Sequence, residues 1–169
     1  MDINTFYSAS SALCFTLLGF WWVVVQFRHA ELTADLASRR FMFLVSLHFI
    51  VPGLVSLASL LATGPMWRVA FGLAGVTGVA AAIQGVRTAA AKPGLMAGFN
   101  RAIWLGIPVY ALITVFAIAP DLVRTSLGLE PLQVEGLLLL VIMLIGILLA
   151  WSLFTGSDSA PAATLEENR

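Results

Sequence analysis

Charged residues are scarce in this chain of 169 residues, and their scarcity is its most informative property. Only 11% of the residues are charged and 60% are hydrophobic, whereas a typical soluble domain has about 25% charged residues. Nine basic and nine acidic residues leave no net charge, so the chain lacks the basic face that a nucleic acid requires. With a mean hydropathy of +0.96, the composition predicts an integral membrane protein.

Residues for metal binding and catalysis are equally sparse. The chain has one cysteine, Cys14, which excludes an intrachain disulfide. Its two histidines, His29 and His48, belong to no HExxH sequence, and the chain has no GxSxG sequence or phosphate-binding glycine loop. We therefore assign no catalytic residue, no metal and no cofactor from the sequence, and we expect a function that is not enzymatic.

Five windows of the chain contain no charged residue, and each is long enough to cross a bilayer. About 20 helical residues span a hydrocarbon core of about 30 Å. We predict an all-α integral membrane protein, a bundle of five transmembrane helices that forms one domain over residues 1–156. This division places Glu135 in the connection before the fifth span and leaves every span without a carboxylate. The predicted spans are approximately 5–27, 42–62, 68–87, 101–120 and 136–155.

The basic residues are distributed unevenly over the connections. If the N-terminus lies outside the cell, only Arg68 and Arg124 fall outside, and the remaining seven basic residues fall on the cytoplasmic side. This is the arrangement that the positive-inside rule favours, so we predict an outside N-terminus and a cytoplasmic C-terminus. Eight arginines against one lysine, with abundant alanine, indicate a bacterial inner membrane. The polar segment 157–169 is predicted to be a disordered cytoplasmic tail.

The third span contains a ridge of small residues. Transmembrane helices associate through close packing of such residues, because burial of apolar surface drives little association inside lipid. The ridge therefore predicts that the third span lies at the centre of the bundle. The predicted packing residues are Gly72, Gly75, Gly78, Ala74 and Ala82.

A polar stripe on the second span is the most informative pattern in the chain. His48, Pro52, Ser56 and Ser59 are spaced so that they share one face of an α-helix. Because proline has no N–H, the carbonyl of His48 loses its usual helical partner beside the imidazole. An ionisable residue inside a span is a functional-site hypothesis by default. The alternative is that the stripe only bends the helix and bonds to its own backbone.

Other polar and aromatic residues are candidates for the same site. With the N-terminus outside, the ends of the first and third spans lie on the cytoplasmic side, near the predicted level of His48. We predict a polar pocket in the cytoplasmic third of the membrane, walled by aromatic side chains. The alternative for the glutamines is that they extend to the lipid headgroups. The additional candidate residues are Gln26, Gln84, Trp22, Trp104 and Tyr110.

Three functions are compatible with these patterns. The first is a homo-oligomeric channel or transport-type protein, in which the polar stripe lines a path across the bilayer. The second is a non-catalytic anchor or accessory subunit with a membrane or cytoplasmic protein partner. The third is a protein that binds a quinone or another hydrophobic ligand at His48, Trp22, Trp104 and Tyr110. In each case the lipid bilayer is a partner, and nucleic acid is not.

Overall fold

The computed structural model describes residues 2–32, 35–62, 64–90 and 97–155, and these residues contain helices and no strand. The predicted tail, 157–169, lies outside the described residues. The helices, in chain order, are α1 (Ile3–Phe27), α2 (His29–Leu32), α3 (Leu36–Leu61), α4 (Met66–Ala90), α5 (Ala97–Ile118), α6 (Pro120–Leu127) and α7 (Pro131–Thr155).

Four of these helices, α1, α3, α4 and α7, are long and apolar enough to cross a membrane. Each has 25 or 26 residues, which gives lengths of roughly 38 to 39 Å at about 1.5 Å per residue. A fifth span is present if α5 and α6 are counted together, although the two are bent by 99° at their junction. The predicted all-α class is therefore confirmed for the described residues, with four or five helical segments long and apolar enough to cross a membrane.

Helices α3 and α7 begin earlier than the charge-free windows. The Asp35 side chain accepts a hydrogen bond of 2.9 Å from the Ser38 N–H, and this cap starts α3 before its two arginines. Helix α7 begins at Pro131, a residue well suited to the first helical position. As a result His48 lies near the midpoint of the 26-residue α3, and Glu135 lies within α7.

The helices form an antiparallel bundle in which α4 packs mainly on α5 and α1 packs mainly on α3. Helix α7 contacts α5, α3 and α1, and so joins the two pairs. The Tyr7 hydroxyl of α1 donates a hydrogen bond of 2.6 Å to the Leu132 carbonyl near the start of α7. We call this end of the bundle the Tyr7 end, and the opposite end, where α3 begins, the Arg39 end.

Helices α4 and α5 approach each other closely because glycines of α4 face α5. A Cβ atom added at Gly75 would lie 2.8 Å from the Tyr110 carbonyl oxygen and 2.9 Å from the Thr114 nitrogen. A Cβ atom at Gly78 would collide with the Tyr110 ring. The backbones therefore meet at a distance that only glycine permits, and this contact sets the position of Tyr110.

The end of α5 is held by an arginine of α4. Arg68 donates from Nε to the Ala117 carbonyl at 2.8 Å and from Nη2 to the Ile118 carbonyl at 2.5 Å. These carbonyls belong to the last turn of a helix, where the partial charge is negative and intrahelical partners are missing. Arg68 thus satisfies them where α5 gives way to α6.

We predict that Gly75→Ala destabilises the bundle, because the added methyl group meets backbone atoms of α5 that cannot move independently. Overpacking of this kind costs about 1–3 kcal/mol, and the midpoint of thermal unfolding in detergent should fall clearly. Gly19→Ala is the matched control, since nothing lies within 4 Å of an added Cβ atom there. An equal midpoint for the two variants would contradict the α4–α5 contact described above.

Candidate functional site

His48 is enclosed at the centre of the bundle. Its side chain is 2% exposed, and Nδ1 lies 2.8 Å from the Leu44 carbonyl oxygen one turn earlier in α3. Nε2 has no hydrogen-bond partner among the residues that the structure describes. Because a carbonyl oxygen can only accept, Nδ1 donates the hydrogen. In the neutral imidazole, Nε2 then presents a bare lone pair.

The space around the imidazole is created by glycines of two neighbouring helices. A Cβ atom added at Gly106 of α5 would lie 3.9 Å from His48 Nε2. One added at Gly146 of α7 would lie 2.8 Å from His48 Cβ. One turn beyond Gly106, the Tyr110 ring meets the imidazole edge-on, with 5.8 Å between the ring centroids. The bundle therefore admits His48 between α5 and α7 and places it against a phenol ring.

A cleft of about 220 Å³ opens beside His48 and Tyr110, between α3 and α4. Exposed leucines, Leu54 and Leu73, flank it, so the cleft opens on the outer surface of the bundle. The hydroxyl of Thr77 already donates to the Leu73 carbonyl of its own helix. The walls are otherwise apolar, and the remaining lining residues are Leu47, Val51, Val55, Ala70, Ala74, Gly78 and Ala81.

The rest of the polar stripe lies above His48 toward the Tyr7 end. Pro52 and Ser56 are buried, and the Ser56 hydroxyl has no hydrogen-bond partner among the described residues. Ser59 donates a hydrogen bond of 2.7 Å to the Ser56 carbonyl, so its hydroxyl is satisfied within α3. Neither serine lines the cleft beside His48.

The other candidate residues lie apart from this cleft. Gln26 is exposed, and so are Trp22 and Trp104, at 50% and 56%. Gln84 lines a separate cleft of about 260 Å³ at the Arg39 end, together with residues that include both arginines of α3. Of the five additional candidates, the structure brings only Tyr110 to His48.

Gln84 and His48 nevertheless lie along one groove. Their two clefts share Leu47 of α3 and Ala81 of α4, so they are neighbours along the α3–α4 contact. The difference in depth follows from the early start of α3, which moves His48 from the predicted cytoplasmic third to the middle of its helix.

Glu135 is a buried acidic residue that the sequence analysis assigned to a connection. The structure corrects this assignment: Glu135 lies in the second turn of α7, is 0% exposed, and has two carboxyl oxygens without a partner among the described residues. In the sequence, Pro131 indicates the earlier start of α7, since proline favours the first position of a helix. Helix α7 therefore contains a carboxyl group, contrary to the prediction that every span lacks one.

No protein-family model, no curated protein and no solved structure matches this chain.

We predict that Ser56→Ala leaves the thermal midpoint unchanged or raises it, because it removes a buried hydroxyl that has no partner in the described structure. Ser46→Ala is the matched control: Ser46 is also buried in α3, but its hydroxyl donates to the Met42 carbonyl at 3.0 Å. The Ser46 variant should be the less stable of the two. A larger loss in the Ser56 variant would mean that this hydroxyl has a partner.

Proposed function

We propose that this protein is a multi-pass protein of the bacterial inner membrane that binds a lipid-soluble phenol, of the quinol class, in the cleft beside His48. The observation that supports this proposal most strongly is the bare Nε2 of His48. A buried acceptor without a partner costs about 1–3 kcal/mol, which a bound hydrogen-bond donor would recover.

The chemistry of the cleft selects the ligand class. Because Nδ1 of His48 is committed to the Leu44 carbonyl, the ligand must donate its hydrogen to Nε2, and since Nε2 is itself buried, the side chains that cover it must move to admit the donor. A hydroxyl group meets this requirement, whereas the carbonyl of a quinone does not. The Tyr110 ring and the aliphatic walls favour an aromatic head group.

The size and opening of the cleft agree with a ring that has an apolar tail. Its volume of about 220 Å³ is below the range of about 300–1,000 Å³ that holds a complete drug-sized ligand. A single substituted ring would occupy it, and the tail would leave between Leu54 and Leu73 toward the lipid chains. The ligand would enter from the bilayer.

The proposed topology has five spans, with the N-terminus outside and the C-terminus in the cytoplasm. In support of it, arginines gather at the Arg39 end, while Arg68 and Arg124 belong to the Tyr7 end. Under the positive-inside rule the Arg39 end faces the cytoplasm. The arginines at that end are Arg28, Arg39, Arg40 and Arg87.

A homo-oligomeric transport protein is the second candidate, favoured by ionisable groups buried at two depths, His48 and Glu135. On α7, the buried apolar residues Leu139 and Ile142 lie between Glu135 and Gly146, which packs on His48. A polar path would therefore have to form between two copies of the chain, along the exposed leucines of α7. Flux in liposomes that changes with His48→Ala would support this candidate. An absence of flux with a co-purifying protein would favour an accessory subunit.

The ligand proposal predicts a difference between two probes, 4-nonylphenol and its methyl ether, in which a methyl group replaces the donor hydrogen. The purified protein in nanodiscs should bind the phenol about tenfold more tightly, since about 1.4 kcal/mol for one hydrogen bond corresponds to that ratio. Isothermal titration calorimetry measures both dissociation constants. His48→Phe keeps a ring of similar size and should abolish the difference.

Gln84→Leu is the control variant, because Gln84 lies in the neighbouring cleft and should not alter either dissociation constant. Equal binding of the phenol and the ether by the unmodified protein would overturn the proposal. So would a His48→Phe variant that still prefers the phenol.

A further inference from the structure

Glu135 is the one acidic side chain that the described part of the bundle encloses completely. It is 0% exposed, and neither carboxyl oxygen has a hydrogen-bond partner among the described residues. An ionised carboxylate in such surroundings is strongly disfavoured, because it loses its hydration and gains no compensating charge. The Glu135 carboxylate must therefore bind a positively charged species that neutralises it.

The neighbouring helices supply no such charge. On α1 the only titratable neighbour is Tyr7, and its hydroxyl already donates to the Leu132 carbonyl at 2.6 Å. The Tyr7-end halves of α3 and α5 contain no charged residue between His48 and Ala62 or between Tyr110 and Ile118. The polar side chains packed around α7 thus leave the carboxyl group uncompensated.

The two arginines at the Tyr7 end are engaged elsewhere. Arg68 donates to carbonyls at the end of α5. Arg124 of α6 lies at the surface, 3.5 Å from Asp121 and 3.5 Å from Glu130. Neither arginine is placed to neutralise Glu135.

The cleft at the start of α7 does not reach Glu135. A cleft of about 290 Å³ lies between the starts of α1 and α7, but its lining includes Gln133 and Leu137 and not Glu135. Among the described residues, no group of three His, Cys, Asp or Glu side chains could hold a metal ion. A proton needs neither a cavity nor further ligands.

We propose that Glu135 is a proton-binding site at the Tyr7 end of the bundle, occupied while α1 and α7 are packed together. The proton is held as a neutral carboxylic acid. It can exchange with water only when α1 moves away from α7, because the Phe6 ring covers the next residue of α7: a Cβ atom added at Gly136 would lie 2.6 Å from Phe6 Cε1. The proposal is independent of the ligand assigned to His48.

Infrared spectroscopy of the protein in lipid at neutral pH tests the proton directly, because a neutral carboxylic acid and a carboxylate have separate C=O bands. We expect an acid band in the unmodified protein that Glu135→Gln removes. Glu130→Gln, which alters an exposed glutamate, should leave the band in place. Identical spectra for the unmodified protein and Glu135→Gln would overturn the proposal.

A label in the unmodified chain provides the same readout should Glu135→Gln fail to fold. Glutamate labelled with ¹³C shifts the acid band only if a glutamate produces it. A glutamic acid stays neutral at neutral pH only where its surroundings disfavour the carboxylate, so a shifted acid band supports a buried neutral Glu135. An acid band that does not shift, or no acid band, contradicts it.

Stability should also depend on pH with a defined sign. The folded state binds one proton more than a state in which Glu135 reaches water, so the folding constant should fall by up to about tenfold per pH unit as pH rises through neutrality. Glu135→Gln has no proton to lose and should remove this dependence. Thermal midpoints that fall equally with pH in both proteins would count against the proton site.

Discussion

The close approach of α4 to α5 is the contact on which the rest of the structure depends. Gly75 and Gly78 let the two backbones meet at a distance that a side chain would prevent, and the Tyr110 ring lies against the second of them. Inside lipid, such packing takes the place of the hydrophobic effect as the force between helices. By placing Tyr110 beside His48, the same contact shapes one wall of the cleft at the centre of the bundle.

A few buried polar groups in this bundle have no hydrogen-bond partner among the described residues. In the bilayer core, polar groups are satisfied within the protein because water is absent. Several side-chain hydroxyls in the described residues follow this rule by bonding to their own helix, as Ser46 and Ser59 do. His48 Nε2, the Ser56 hydroxyl and the carboxyl group of Glu135 do not. Of these, His48 at mid-bundle and Glu135 at the Tyr7 end are ionisable, and they mark two separate places where a hydrogen-bond donor and a proton are proposed to bind.

The sequence predicted the helices well and the site only in part, for physical reasons. Charge-free windows locate apolar helices, but helices continue past charged residues, so α3 and α7 begin before their windows and Glu135 was placed outside its helix. The spacing of His48 and Ser56 defines one face of one helix, yet the rotation of that helix against its neighbours depends on contacts between distant residues. For this reason the sequence grouped Tyr110, Trp22 and Trp104 with His48 without distinguishing among them, whereas the structure places the Tyr110 ring against the imidazole and leaves both tryptophans exposed.

The central claim is that His48 offers a bare Nε2 to a ligand that donates a hydrogen. Nitrogen NMR on protein labelled with ¹⁵N-histidine, in a His29→Asn background so that only His48 reports, observes both ring nitrogens separately. We expect a protonated Nδ1, an unprotonated Nε2, and a shift of the Nε2 resonance when 4-nonylphenol is added. A proton on Nε2 in the ligand-free protein, or an Nε2 resonance that the phenol does not move, would contradict it.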